Sequence, residues 1–221
     1  MSPLMIDRLV AALRDTLLMV GASGLIAAAC GLPLALLLVL SAPGGIVPAP
    51  RLHRVLAALV NGFRATPFII LLVALLPFTR LVTGTTIGVW AAVVPLAISG
   101  TPFFARIAEV SLREIDPGLI EAAQAMGCRR HHIVRHVLLP EALPGLVGGF
   151  TVTLVTMIGA SAMAGAVGAG GLGDVAIRYG YQRFDTTVML AVIAVLIALV
   201  CLVQWVGDRA VRRLKLRQEA A

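Results

Sequence analysis

The residues with chemical potential gather in a few places. Between Ile115 and Pro140 lie Glu121, Cys128, His131, His132 and His136, interleaved with Arg129, Arg130 and Arg135. His132 and His136 stand four apart and share a face of any helix formed there. Zinc, however, takes three or four ligands at matched spacing, and the arginines oppose a cation. The pattern reads as a solvated basic face or one that meets the anionic inner leaflet, and no metal site is assigned. Gly21-Ala22-Ser23-Gly24 has the G-x-S-G pattern of an intramembrane serine hydrolase. Such a serine needs a base beside it, usually histidine, and all four histidines, His53 included, lie outside the apolar segments. Ser23 therefore reads as a packing residue, with hydrolysis as a distant alternative. Gly168-Ala169-Gly170-Gly171-Leu172-Gly173 reads G-x-G-x-x-G, but a dinucleotide fold needs a strand before it and a helix after it. Here an apolar helical run precedes, so the glycines end that helix and let backbone pass close to its neighbours. The sequence has no G-x-x-x-x-G-K-S/T, so it carries no P-loop for ATP.

Long apolar runs must position these groups. Of 221 residues, 59% are hydrophobic and 13% charged, far from the composition of a soluble domain. A bilayer span takes about 20 apolar residues, and five segments qualify: 16–40, 55–78, 86–110, 142–169 and 187–207. The expected fold is an all-α integral membrane protein with five transmembrane helices, a single domain over 1–221. A net charge of +7 could suggest nucleic acid in a soluble protein; here the positive-inside rule accounts for it and nucleic acid is not expected. With 115–140 cytoplasmic, 13 of the 18 lysines and arginines lie on or near the inner side, and Arg8, Arg14, Arg80, Arg178 and Arg183 lie outside. Five spans then put the N-terminus outside and the C-terminus inside. Cys30, Cys128 and Cys201 have no disulfide spacing. Residues 1–15 lack a signal-peptide pattern and predict a short amphipathic helix, with Leu4, Leu9, Ala12 and Leu13 at the interface.

The polar island 115–140 has its own grammar. Asp116-Pro117 predicts a helix start, with Asp as N-cap and Pro at the first helical position. Leu119, Ala122, Ala123 and Met126 recur at helical spacing, and Gly127 is placed to stop the helix. A second short helix follows, with Ile133, Val134, Val137 and Leu138 on its apolar side, and Pro140 is expected to close it. The result is a helix–Gly–helix elbow outside the membrane, a shape suited to docking a partner protein. Glu121-Ala122-Ala123, three residues, Gly127, nine residues and Val137-Leu138-Leu139-Pro140 resemble the E-A-A-x3-G-x9-I-x-L-P motif of ABC importer permeases. Val137 for Ile is the one departure. The resemblance implies an ATPase-coupling role for Glu121, Ala122, Ala123, Met126, Gly127, Val137, Leu139 and Pro140.

The stretch Phe63 to Phe68, F-R-A-T-P-F, resembles the F-R-x-T/S-P of amino-acid-type ABC permeases. Ser161 to Gly173, with Tyr179-Gly180-Tyr181 after it, resembles methionine-type permeases. Candidates for the translocation path or its gate are Met163, Ser161, Gly159, Thr156, Arg64 and Pro67. Two readings stand for Arg64: snorkelling to the cytoplasmic interface, or a bond to carbonyls loosened by Pro67. Two also stand for Met163: a flexible plug between two copies, or an ordinary core or lipid contact. Arg106 and Glu109 can pair at i, i+3. Residues 174–185 read as a polar external loop, either an aromatic belt or a partner contact. No acidic residue is placed deep in a span to pair a cation, so the solute is small and largely apolar. The resemblance implies a permease subunit in a bacterial inner membrane, translocating methionine, L- and D-, and close derivatives. Another small amino acid or organic solute is the alternative. It further implies a homodimer, two cytoplasmic ABC ATPases and an external substrate-binding lipoprotein or periplasmic protein. It implies no cofactor in this chain, since ATP and Mg are held by the ATPase.

Overall fold

A computed structural model describes residues 3–219, and no strand occurs among them. The helices are α1 (Pro3–Ser41), α2 (Pro50–Ala65), α3 (Phe68–Ala74), α4 (Leu76–Thr83), α5 (Val89–Arg113), α6 (Pro117–Ala125), α7 (Arg130–Ile133), α8 (Leu139–Gly165), α9 (Gly171–Val175) and α10 (Thr186–Glu219). Two π turns, Val134–Leu138 and Ala176–Tyr181, join α7 to α8 and extend α9. Four helical runs are long and apolar enough to cross a bilayer, and the bent pair α2–α3 makes a fifth if taken as one span.

α5 lies at the centre. Leu96 and Ala105 on it are fully buried, and it packs on α1, α2 and α8. Three apolar clusters are stacked through the molecule. Ala35, Phe104, Ala108, Leu112, Ile115 and Leu138 form the one nearest the elbow. Met19, Leu96, Met157 and Ile158 fill the middle. Leu9, Ala12, Leu172, Val175 and Val188 close the far end. At that far end Gly88 N donates to Gly168 O at 3.0 Å, and Leu172 N to the buried Thr16 Oγ1 at 2.9 Å. Gly165 and Gly173 let α8 and α9 touch: a Cβ on either would overlap the backbone of the other element.

Four expectations need correction. Of the helix expected over residues 1–15, residues 1 and 2 lie outside the described residues, and residues 3–15 are not a separate interfacial helix. They are the start of a 39-residue α1, whose Leu9 and Ala12 are buried against Leu172, Val175 and Val188. The segment 55–78 is not one straight span: α2 and α3 meet at 103°. Pro67 is the cause, because its ring pushes Thr66 out of the helical region, to φ −81° and ψ 123°. Pro140 does not close a helix either. The helical run passes from Arg130 through Pro140 to Gly165. Proline cannot donate the usual bond back, and the π turn just before it takes up the misfit. Finally, 174–185 is largely helical, through α9 and the second π turn, and Asp185 Oδ1 accepts from Val188 N at 3.1 Å to start α10.

Candidate coupling elbow and translocation face

The elbow is built as its residues require. Asp116 Oδ1 accepts from Gly118 N at 2.9 Å, and Pro117 occupies the first helical position. α6 ends at Ala125. Gly127 N donates to Gln124 O at 2.9 Å, and Cys128 N to Ala123 O at 3.1 Å. This crossed pair is a Schellman stop, which needs a left-handed residue between the two bonds. Gly127 supplies it at φ +73°. Among the described residues no atom lies within 4 Å of where a Gly127 Cβ would stand, so the constraint is conformational and the surface there is open.

Within the motif, side chains divide by direction. Ala123, Ile133 and Leu138 are buried and hold α6 against the following helical run. Val137 and Leu139 are half-buried, and Ala122 and Pro140 are exposed. Met126 is 76% exposed, a large apolar side chain left in water. Glu121 is exposed and, among the described residues, has no ion-pair partner. It lines a cleft of about 370 Å³ between α6, Arg113 and the turn Ala42–Ile46. His131, His132 and His136 form an exposed ladder, with ring centroids 4.1 and 5.6 Å apart. Among the described residues no group of three or more His, Cys, Asp or Glu side chains could hold a metal ion.

Just before the elbow, Glu109 sits 1% exposed between two guanidinium groups, Arg106 at 2.8 Å and Arg113 at 2.6 Å. The i, i+3 pair was legible in the sequence; Arg113, at i+4 on the same face, was the missed third member. Both arginines are nearly half exposed, so they carry the charge of Glu109 out to water. Glu109 is thus a buried acid already paired, and not one free to pair a cation in transit.

The structure brings some path candidates together and separates others. Val152, Thr156, Gly159 and Met163 follow one another on one exposed face of α8. Met163 is 53% exposed, and no atom lies within 4 Å of a Gly159 Cβ. Arg64 and Thr156 line one cleft of about 90 Å³ with Thr66, Phe68 and Phe103. The Arg64 side chain makes no hydrogen bond or ion pair among the described residues, so it holds no loosened carbonyl; Thr66 Oγ1 donates instead to Gly62 O at 3.1 Å. Pro67 acts by bending the chain. Ser161 points away from the stripe: it is buried, and its hydroxyl donates to Ile158 O at 2.7 Å. Phe103, which also lines the cleft, carried no sequence signal that set it apart from core residues; Phe63, beside it, opens the F-R-A-T-P-F stretch.

Two discarded motifs have structural explanations. Ser23 is buried, and its hydroxyl donates to Met19 O at 2.5 Å. Gly168, Gly170 and Gly171 all have positive φ, and the five-residue α9 begins at Gly171. In the 174–185 segment, Tyr179 lies between Arg8 and Arg183, whose guanidinium carbons stand 5.1 and 4.8 Å from its ring centre.

Against known proteins, residues 31–216 match the family model described as binding-protein-dependent transport system inner membrane component. A Vibrio cholerae protein named probable D-methionine transport system permease protein MetI is 49% identical over 207 residues, covering 94% of this chain and 92% of its own. A Bacillus subtilis protein named methionine import system permease protein MetP is 42% identical over 172 residues, 78% of each chain. A chain from a solved structure described as inward-facing conformations of the MetNI methionine ABC transporter superposes with a TM-score of 0.96 at 51% identity, covering 97% of this chain and 99% of that one.

Proposed function

Because this chain belongs to the family of binding-protein-dependent transport system inner membrane components, we propose that it is the permease of an ATP-driven methionine importer. It is a multi-pass inner-membrane transport component and not an enzyme. The observation that carries this reading is the elbow: a Schellman-stopped α6 bearing the E-A-A…G pattern, followed by a helical run that passes without a break from Arg130 into α8. The relatives named for methionine transport, at 42–49% identity over most of the chain, support the substrate.

In this account two copies of the chain enclose the path. Two ATPases bind the elbows with ATP and Mg, and an external binding protein delivers methionine, L- or D-, to the opposite end. The N-terminus is outside and the elbow inside. The mechanism follows from the covalent and packing continuity of the chain. Closure of the ATPases displaces α6. Ala123, Ile133 and Leu138 pass the displacement into α8, and Leu112 and Ile115 pass it into α5. Packed helices move as bodies, so the two spans rotate and the path opens on alternate sides. The exposed α8 stripe reaches Met163, whose flexible thioether closes the path against its symmetry mate. Thr156 of this face shares a cleft with Arg64, which supplies a cation beside the path.

The test is uptake of labelled methionine by proteoliposomes holding the permease, its ATPase and its binding protein. Uptake that requires ATP and all three components is the expected result; uptake without the ATPase rejects the reading. Labelling of a single cysteine at position 130 tests orientation: a membrane-impermeant reagent should reach it only after the cells are opened.

A further inference from the structure

α10 outlasts the bilayer. At about 1.5 Å per residue it runs to about 50 Å, against a hydrocarbon core of about 30 Å. It lies antiparallel to α8 and stays in step with it. A Cβ on Gly207 would strike the Thr151 side chain, and one on Gly148 would meet Val211 Cγ2 at 3.7 Å. At the tip, Gln218 Nε2 donates to Pro140 O at 2.8 Å and to Glu141 O at 3.2 Å.

There is a reason that a side chain is received at Pro140. In an α-helix the carbonyl of residue 140 accepts from the N–H of residue 144, and residue 144 is proline. That position has no N–H to give. Pro140 itself lacks the donor that would bond back toward His136, and the π turn absorbs that fault. Two prolines four residues apart therefore bracket the junction between elbow and α8, each deleting one helical bond. The junction is the weak point of the path from ATPase to span. Gln218 restores one of the two missing bonds, from a different helix. The exposed cations Arg209, Arg212, Arg213, Lys215 and Arg217 occupy the same last turns, where positive charge suits the helix C-terminus and keeps the tip at the inner surface.

We propose that Gln218 is a positioning residue for coupling: it straps the tip of α10 to the Pro140 carbonyl, so that displacement of the elbow turns α8 and α10 as one body. The strap rests on the coupling role given to the elbow above. Water can replace the amide at this exposed site, so the strap sets the angle of the junction and not the stability of the fold.

The test uses the permease with its ATPase and binding protein in proteoliposomes and reads methionine moved per ATP hydrolysed. Gln218→Met keeps the length and removes the donor. The ratio is expected to fall about three- to fivefold, the weight of one hydrogen bond, at unchanged abundance and ATP turnover. Gln218→Lys keeps a donor and is expected to keep the wild-type ratio. In a Pro144→Ala background residue 144 supplies its own N–H to the Pro140 carbonyl, and Gln218→Met should then have little effect. A wild-type ratio for Gln218→Met, an equal fall for Gln218→Lys, or an undiminished effect in Pro144→Ala each overturns the proposal. Gly127→Val, run alongside, separates the two claims. If it uncouples while Gln218→Met does not, only the strap fails. If it too keeps the wild-type ratio, the coupling role of the elbow fails.

Discussion

The elbow and the exposed stripe of α8 treat polar groups in opposite ways. In the elbow, the open backbone groups of a short helix are closed by dedicated residues: Asp116 at the start, the crossed bonds around Gly127 at the end. What remains outward is a free carboxylate at Glu121, a bare Met126 and a basic ladder. Along α8, Thr151, Thr153 and Thr156 each donate back to the carbonyl four residues earlier, at 2.8–2.9 Å. Their hydroxyls are thereby satisfied within the helix; Thr151 and Thr153 are buried, and the stripe itself presents the methyl groups of Val152 and Thr156, the bare backbone of Gly159 and the Met163 thioether. One region is shaped in water to be gripped. The other offers few polar groups, as the proposed path, which must release its solute, requires.

The largest effect expected from breaking this contrast lies at neither region but at the far end, where glycine has a different task. Gly173→Val places a side chain into the Ala162 backbone. Overpacking costs about 1–3 kcal/mol, and more when backbone must move, so this variant should lose most detergent-stable protein. Gly127→Val, with open space around it, should not. Size-exclusion profiles of the two variants at equal expression separate steric from conformational glycine.

Next in size is Glu121→Ala. The residue is exposed and has no ion-pair partner among the described residues, so stability should change by less than about 0.5 kcal/mol. Removing a carboxylate that is desolvated on docking costs about 3–5 kcal/mol of charge-assisted contact, on the order of a hundredfold or more in affinity, so ATPase retention should fall to a small fraction of wild type. Pull-down of the ATPase at matched membrane abundance reads this directly, and full retention would move the grip elsewhere on the elbow.

Met163→Ala sharpens the other side. Melting should be nearly unchanged, because the side chain is half exposed, while ATP-independent methionine leak rises a few-fold. An unchanged leak with unchanged uptake would make Met163 a lipid or core contact. The smallest effect belongs to Arg130→Ala. An exposed charge on the basic face contributes about 0–1 kcal/mol, so uptake should stay within about twofold of wild type.

Legibility in the sequence followed the same division. The elbow could be read almost residue by residue, because caps and stops in water demand particular types: Asp, Pro and Gly at fixed offsets. Four of the five spans were legible as apolar runs, since the bilayer sets their length. The bend at Pro67 was visible as a proline but not as a 103° turn, because the angle depends on what α2 and α3 pack against. The passage of the helix through Pro140 was missed for a related reason: a π turn leaves no compositional mark. The depth of α1 and the length of α10 were also hidden, since an amphipathic start and a basic tail look alike whether they dock or dangle. On α8, small residues announced close packing without saying which faced inward. Ser161 and Met163, two residues apart, point to opposite sides.

The central claim is that the elbow transmits ATPase movement to the spans, and Gly127 is where it can be tested with least ambiguity. Its left-handed backbone disfavours any side chain by about 1–2 kcal/mol, yet the space around it is empty. The measurement is ATPase co-purification together with methionine uptake for Gly127→Val, at membrane abundance equal to wild type. Inserted, folded permease that loses the ATPase or its coupled uptake is the predicted result. Wild-type levels of both would contradict the account.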